Sequence, residues 1–500
     1  MKNISSNTYC RKKSGYATLE IIIALFILSS AITASTVIAF GNQNLLVDTT
    51  ADREALEQAK MLLETTEMQA LNDFQSLKSF TTTSSAFETS VEVTSRSYTT
   101  KELKTKVQWK NMYNQIKHIT LFSLVTDFQN NLNEDTCEQA LSGDWTKPEI
   151  KNSVKILKDL VSDPSGIYSI TDLDVYHDKL FVTTNNSSAN KETFFVFDVT
   201  NIENPTLVSK VDNDPLNNTG LNAVTIASTT GGIFAYVASG SSYVKGQLQI
   251  INISTDPPTV VKTYKIPTSI VSGSSSQGVP ARIAYSNGYV YLGLTKTVSG
   301  PEFNIIDVRN PNAPAWVGGF QIGSQVNDIV IKGHFAYIAS PHTEELIILD
   351  ITDPTHPTQV GGYNAPSPNT TGSGKSVYLS GDTVYLGRTT TTANPEFYIV
   401  DGSNPRTYMP TVLGTKEINS SVNQLLVRDT LTFLLTTTGQ LQIWDTRTPS
   451  TIKQFTTPLI LPSASRGVAL DCEKNVLFVG SVPTTGAFTD QGFLSIISTQ

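Results

Sequence analysis

Apolar residues run almost unbroken from Leu19 to Phe40, interrupted by Glu20 and small hydroxyl residues. A run of about 20 such residues is long enough to cross a bilayer as a helix. After Gly41 the pattern becomes amphipathic: Leu45, Leu46, Ala55, Leu56, Ala59, Leu62 and Leu63 recur at helical spacing, and Asp52, Arg53, Glu54, Glu57 and Lys60 largely fill the other positions. This predicts that the same helix continues to about Leu71. Period two then takes over. Between Glu88 and Phe128 the segments ETSVEVTSRSY, LKTKVQWKN and IKHITLFSLVTDF read as three strands, with turn signals at 98–101 and 110–114.

Beyond NNLNEDT (130–136) a self-similar unit appears. Its clearest copies are IAYSNGYVYLGLTKTVSGPEFNIIDVRNPNAPAWVGGF from Ile283 and IVIKGHFAYIASPHTEELIILDITDPTHPTQVGGY from Ile329. Each reads as four short strands with a tight turn after the first and a proline-containing turn after the third. Asp198, Asn252, Asp307, Asp350, Asp401 and Asp445 mark the phase, with Ser498 in the seventh place, at intervals of 43 to 55 residues. One four-stranded propeller blade fits each unit. The expected fold is therefore mainly β: a seven-bladed β-propeller preceded by a long N-terminal α-helix and a small antiparallel sheet. The seventh copy ends at Gln500 after its third strand, and EIKNSVKILKDLV, from Glu149, has the character of the missing outer strand. Closure by a strand at about 149–161 would leave no unpaired edge in the last blade. Long polar loops at 183–193, 295–301, 388–395 and 481–492 fall on one rim, together with NDPLNNTG and SPNTTGSGKS between blades. That rim is the expected binding face.

Lys and Arg total 36 against 44 Asp and Glu, a net charge of −8, so the broad basic field of a nucleic-acid binder is missing and no specific nucleic acid is expected. Five histidines are scattered without metal-ligand spacing, and neither a nucleophile motif nor a phosphate loop occurs. The expectation is a non-enzymatic protein with no cofactor and no metal. The oxygen-rich group Asp212, Asn213, Asp214, Asn217 and Asn218 lacks the order and closing Glu of a calcium loop and reads as a solvated turn. Ring closure would bring Cys137 and Cys472 into one neighbourhood, where a disulfide or two unpaired thiols are both open.

Lys2, Arg11, Lys12 and Lys13 precede the apolar run without an acid among the first 15 residues, which orients the N-terminus to the cytoplasm and the remainder outside. The segment RKKSGYATLEIIIALFILSSAITA resembles the class III leader of type IV prepilins. The resemblance implies cleavage by a prepilin peptidase between Gly15 and Tyr16, N-methylation of Tyr16, and Glu20 as the acid at the fifth mature position, which meets the N-terminal ammonium of a neighbouring subunit during assembly. Removing the leader leaves 32 basic against 44 acidic residues, a net of −12. No proline occurs before Pro148, which favours a minor or pilin-like subunit over a bulk fibre subunit. The repeats resemble the LVIVD-type repeat of bacterial surface propellers, through IIDV followed by NPxxP at Ile305 to Pro314.

Together these readings divide the chain into a leader at 1–15, a transmembrane and assembly helix at 16–72, a pilin-like β head at 73–132, a linker at 133–147 and a propeller at 148–500. The function implied is a minor pilin or pilus-tip-like surface protein that displays the propeller for adhesion or protein binding. Its partners would be the prepilin peptidase, other pilin subunits, the inner membrane before assembly, and a protein or glycan ligand on the propeller. Its location would be single-pass in the membrane, then the cell surface or pilus. Two alternatives stand beside it: a pseudopilin-like component of a secretion or DNA-uptake system, and a membrane-anchored propeller enzyme.

Overall fold

The computed structural model describes residues 22–33, 49–72, 77–84, 86–95, 100–110, 114–126, 141–155, 168–186, 192–212, 220–229, 231–240, 246–274, 276–365, 373–471, 473–482 and 492–499. The chain divides into two units, 1–131 and 132–500.

In the first unit residues 22–33 are helical, and Ile22, Ile23, Leu25, Phe26, Ile27, Leu28 and Ile32 are all exposed. A second helix spans Thr49–Asn72. The continuous helix expected over 16–72 is thus described as two segments, and residues 34–48 lie outside the described part. Among the described residues no helix is long and apolar enough to cross a membrane. The Thr49–Asn72 helix lies on an antiparallel sheet because its inward stripe is small: Ala55, Ala59, Thr66 and Ala70 are buried against Phe87, Leu103, Val107, Trp109, Leu121 and Val125. Small residues let the helix backbone come close to the pleat. The sheet has four strands, Phe80–Thr83, Glu88–Ser95, Thr100–Lys110 and Ile116–Thr126, in sequence order. The added edge strand, FTTT, is exposed along its whole length and so carries no hydrophobic alternation for sequence reasoning to find.

The second unit holds seven sheets among the described residues. Blade 1 comprises Tyr168–Tyr176, Lys179–Asn186, Glu192–Asp198 and Thr206–Asp212; blade 2 comprises Leu221–Thr229, Gly232–Ser239, Leu248–Asn252 and Thr259–Tyr264. Blade 3 comprises Pro280–Ser286, Tyr289–Leu294, Phe303–Asp307 and Ala315–Phe320; blade 4 comprises Asp328–Lys332, Phe335–Ala339, Leu346–Asp350 and Thr358–Tyr363. Blade 5 comprises Gly374–Ser380, Thr383–Arg388, Phe397–Asp401 and Val412–Lys416. Blade 6 has Val422–Arg428, Leu431–Thr436 and Gln440–Asp445, with Lys453–Gln454 and Leu459–Ile460 sharing its outer position. Blade 7 takes Ser465–Asp471, Val476–Ser481 and Phe493–Thr499 from the C-terminus, and its outer strand is Pro148–Lys155.

The first strand of every blade touches the first strand of the next, and that of blade 7 touches blade 1, so the ring is closed. Apolar side chains fill the gaps between blades; at the closing junction Ile170, Leu173 and Phe195 of blade 1 meet Phe478, Leu494 and Ile496 of blade 7. Outer strands are seated by glycine. A Cβ on Gly318 or Gly361 would stand 2.2 or 2.3 Å from the carbonyl oxygen of Pro354 or Pro405, in the proline turn of the following blade. This close approach accounts for the first glycine of WVGGF and QVGGY; a Cβ on the second, Gly319 or Gly362, would stand 2.7 Å from the carbonyl oxygen of Phe303 or Leu346 in its own blade.

The closing strand is set by residues before it. Within 141–147, placed by sequence in a linker, Trp145 is buried edge-on to Phe433 at 5.0 Å between centroids. The Leu141 amide donates to Asp429 Oδ2 at 2.5 Å, and Asn475 Nδ2 donates to the Ser142 carbonyl. Asp429 and Asn475 sit in the first hairpin turns of blades 6 and 7, so the segment docks on the hairpin-turn rim.

Ser153 and Ser495 face each other across the closing pair with hydroxyl oxygens 3.5 Å apart. The pair S153C/S495C is expected to oxidise to a disulfide and to raise unfolding stability by up to about 4 kcal/mol, because it closes a very long loop. Intact mass and thermal melts with and without reductant check this. Failure to bridge under mild oxidation would refute the register.

Candidate functional site

The acid that marks each repeat is a turn residue. Asp198, Asn252, Asp307, Asp350, Asp401 and Asp445 end their strands, and the side-chain oxygen of each accepts the amide two residues on, at 2.8 to 3.0 Å. This is an Asx turn, which bends the chain into the proline segment. Five residues before the mark a second device occurs. Gln247, Glu302, Glu345 and Glu396 are fully buried and accept amides from the connection between their own blade and the next: Ile266, Ile322 with Gly323, Ser373, and Ile418 with Asn419. Glu345 also holds Arg388 of blade 5 by two bonds of 2.7 and 2.8 Å, with both side chains 1% exposed. Sequence reasoning puts Arg388 at the head of a polar loop; in the structure it is the last residue of a strand, buried and paired.

A third recurring feature shapes the middle of the ring. In six blades the first hairpin is interrupted by a register shift near its start, and the extra residue is Thr171, Asn222, Ala281, Lys375, Asn423 or Arg466. Asn327 occupies the corresponding place before the first strand of blade 4. A bulge leaves one residue out of the ladder and re-aims its side chain. All seven line a central cavity of about 400 Å³, whose wall also includes Arg282, Thr437, Ala464 and Val482.

Most of these residues staple their blade to the next. Thr171 Oγ1 donates to the Leu221 carbonyl at 2.7 Å, Asn222 Nδ2 to Pro280 at 2.6 Å, Asn327 Nδ2 to Gly374 at 2.7 Å and Asn423 Nδ2 to Ser465 at 2.8 Å. Blade 3 has alanine at the bulge, and the adjacent Arg282 donates through Nε to the Asn327 carbonyl at 2.8 Å. In blade 5 the adjacent Ser376 makes the link, to Val422 at 3.1 Å. Lys375 and Arg466 make no hydrogen bond or ion pair within the described residues.

Carboxylates lie one residue further along two inner strands. Asp172 Oδ2 accepts the Val224 amide at 3.1 Å and Asp328 Oδ2 the Val377 amide at 3.0 Å; Arg282 is 3.8 Å from Asp328. Withdrawal from water pushes the Asp172 carboxyl up to about 6, against the pull of Arg282 and the two amides it accepts. Burial raises Asp328 in the same way. Lys375 is lowered by burial and by the like charges of Arg466 and Arg282.

One family model matches this chain: the LVIVD repeat, over residues 323–365. The matched stretch is blade 4 with its flanking connections. No curated protein matches. Among solved structures, similarity is found to the RRP9 WD40 repeats, at 11% identity and TM-score 0.49, covering 72% of this chain and 100% of that one. The WD40 β-propeller domain of Doa1 gives 12% identity and TM-score 0.47, with 71% and 98% covered. Saccharomyces cerevisiae Sqt1 gives 10% identity and TM-score 0.45, with 69% and 87% covered.

Gly15, Tyr16, Glu20, Cys137 and Cys472 all lie outside the described residues, as do Asn213, Asp214, Asn217 and Asn218 of the oxygen-rich turn. Near the cysteines, the described contact between Asn475 and Ser142 joins segments three and five residues beyond them in sequence. In the loop at 295–301 Thr297 alone is buried, with its hydroxyl donating to the Gly300 carbonyl at 2.6 Å, while Lys296, Val298 and Ser299 are exposed. The cavity cations were missed because no motif contains them. Their one sequence signal is position, at the second or third residue of a blade's first strand.

Between about pH 4 and 6 the folded chain keeps a proton on Asp172 that the unfolded chain has lost. That contribution to stability is complete below the ordinary value of 3.8 and is lost as pH rises through about 6. Asp172→Asn is therefore expected to gain on the order of 2 kcal/mol relative to the parent between pH 3.5 and pH 7, measured by urea unfolding; a pH-independent difference would contradict it. Glu345→Gln, which leaves Arg388 buried beside a neutral amide, is expected to cost about 3 kcal/mol or more, and the pair Glu345→Leu/Arg388→Met to recover most of that loss. Denaturation of the single and double variants decides.

Proposed function

We propose that this chain is a non-enzymatic, pilin-like surface protein that inserts its N-terminal helix into a type IV pilus-like filament as a minor or tip subunit and displays its propeller for adhesion or protein binding. The observation that carries the reading is the leader: basic residues, Gly15, Tyr16 and Glu20 directly before an apolar run. Two further features support it. The apolar side chains of 22–33 are exposed, as a segment destined for lipid or a helical bundle requires, and the Thr49–Asn72 helix lays a small-residue stripe on a four-stranded antiparallel sheet. Within the propeller, residues 141–147 dock on the hairpin-turn rim, while the loops after second strands and the start of the inner strands are on the other. That other rim, with the cavity mouth, is the face assigned here to partner recognition.

A domain of this bulk fits poorly at every position of a tightly packed helical fibre, which is why a minor or tip position is preferred. After processing, Glu20 neutralises the N-terminal ammonium of a neighbouring subunit and so removes the cost of two charges in lipid.

Co-expression with a prepilin peptidase is expected to yield protein that begins at N-methylated Tyr16, and expression without it to yield protein that begins at Met1. N-terminal sequencing and intact mass of the membrane extract read this directly. A start at Met1 in both cells, or cleavage beyond Phe40, would overturn the pilin reading. Surface labelling of intact cells then separates a displayed subunit from a pseudopilin that acts beneath the surface.

A further inference from the structure

We propose that the central cavity is a binding site for a small multivalent oxyanion, a phosphoryl, sulfo or polycarboxylate group, gripped by Lys375, Arg466 and Arg282. Three cations from blades 5, 7 and 3 converge on one cavity of about 400 Å³ in a chain whose net charge is −8. The volume is in the range of small-molecule sites.

The comparison between blades separates ligand-facing residues from stapling ones. At the bulge, Thr171, Asn222, Asn327 and Asn423 are neutral and spend their donors on the next blade's backbone. Blade 5 has transferred that task to Ser376, so Lys375 is not needed to hold the ring. Arg466 has no stapling bond among the described residues. Two cations without hydrogen-bonding partners among the described residues, brought together with a third around one cavity, repel one another, and a bound anion offsets that cost. The carboxylates nearby do not fill this role. Asp328 is engaged with Arg282 at 3.8 Å and with the Val377 amide, and Asp172 with the Val224 amide. Lys375 and Arg466 are left for the ligand, and Arg282, held by the Asn327 carbonyl and near Asp328, adds its charge beside them. The same focusing of positive potential in a recess would draw an anion toward an otherwise acidic molecule.

The test uses the full chain in detergent at low ionic strength, titrated calorimetrically with inorganic phosphate, sulfate and citrate. Saturable binding of at least one is expected, together with a ligand-dependent rise in Tm. The order of affinity tells a tetrahedral oxyanion from a carboxylate head group, and either order supports the site. Lys375→Met/Arg466→Met is expected to weaken binding at least about tenfold and, without ligand, to leave Tm unchanged or raise it by removing repulsion. Lys262→Met, an exposed cation on the outer strand of blade 2, is expected to leave binding intact. Three results would overturn the proposal: no saturable binding of any of the three anions, equal weakening by Lys262→Met, or a lowered Tm for the unliganded double variant, which would mark the cations as structural. Because the readout needs neither cleavage nor assembly, it fails or succeeds independently of the filament reading.

Discussion

The antiparallel pairing of Pro148–Lys155 with Phe493–Thr499 is the contact on which the propeller depends. Every other blade is built from consecutive strands and forms locally, whereas this one joins segments from opposite ends of the unit. Without it, blade 7 would present a bare edge, and the apolar faces that blades 7 and 1 bury against each other would open to water. Loop closure over so long a span costs little more than over a shorter one, since the entropy grows only as the logarithm of length. The anchoring of 141–147, with Trp145 on Phe433, delivers the closing strand already aligned. The chain thus begins the unit by fastening to the blades that it reaches last.

Around the closed ring, identical backbone positions do different work in different blades. The turn acid and the buried Gln or Glu five residues before it satisfy backbone amides that would otherwise be orphaned where the chain crosses between blades. The Arg388–Glu345 pair adds a charge-assisted link between blades 4 and 5, and its low exposure makes that junction intolerant of the loss of one partner. The bulge position is freer, because the staple can move to a neighbour, as it does to Arg282 in blade 3 and Ser376 in blade 5. That freedom is what allows Lys375 to line the cavity without loss of the ring. A structural position repeated seven times is also the set of side chains that a ligand in the cavity would meet.

Much of the architecture could be read in advance, for reasons visible in single residues. Six of the seven phase marks could be aligned because an Asx turn needs a side-chain oxygen at the end of the third strand, four to seven residues ahead of a proline. The FTTT edge strand was less legible, since an exposed edge strand carries little hydrophobic pattern. Hydrophobic pattern does not mark Glu302, Glu345 and Glu396 as buried, although each stands five residues before its turn acid.

Repetition by itself determined the number and order of blades in the propeller, because each unit must bury the same apolar face and turn at the same points, and those demands are local in sequence. The leader pattern likewise is a statement about consecutive residues. What only the tertiary structure decided is which polar residues meet. Arg388 and Glu345 lie in different repeats, and Lys375, Arg466 and Arg282 belong to three separate blades. Their shared cavity exists only when the ring is closed and a bulge has turned one residue from each inner strand toward the axis. Charge convergence of this kind has no sequence spacing, since it is set by the geometry of closure.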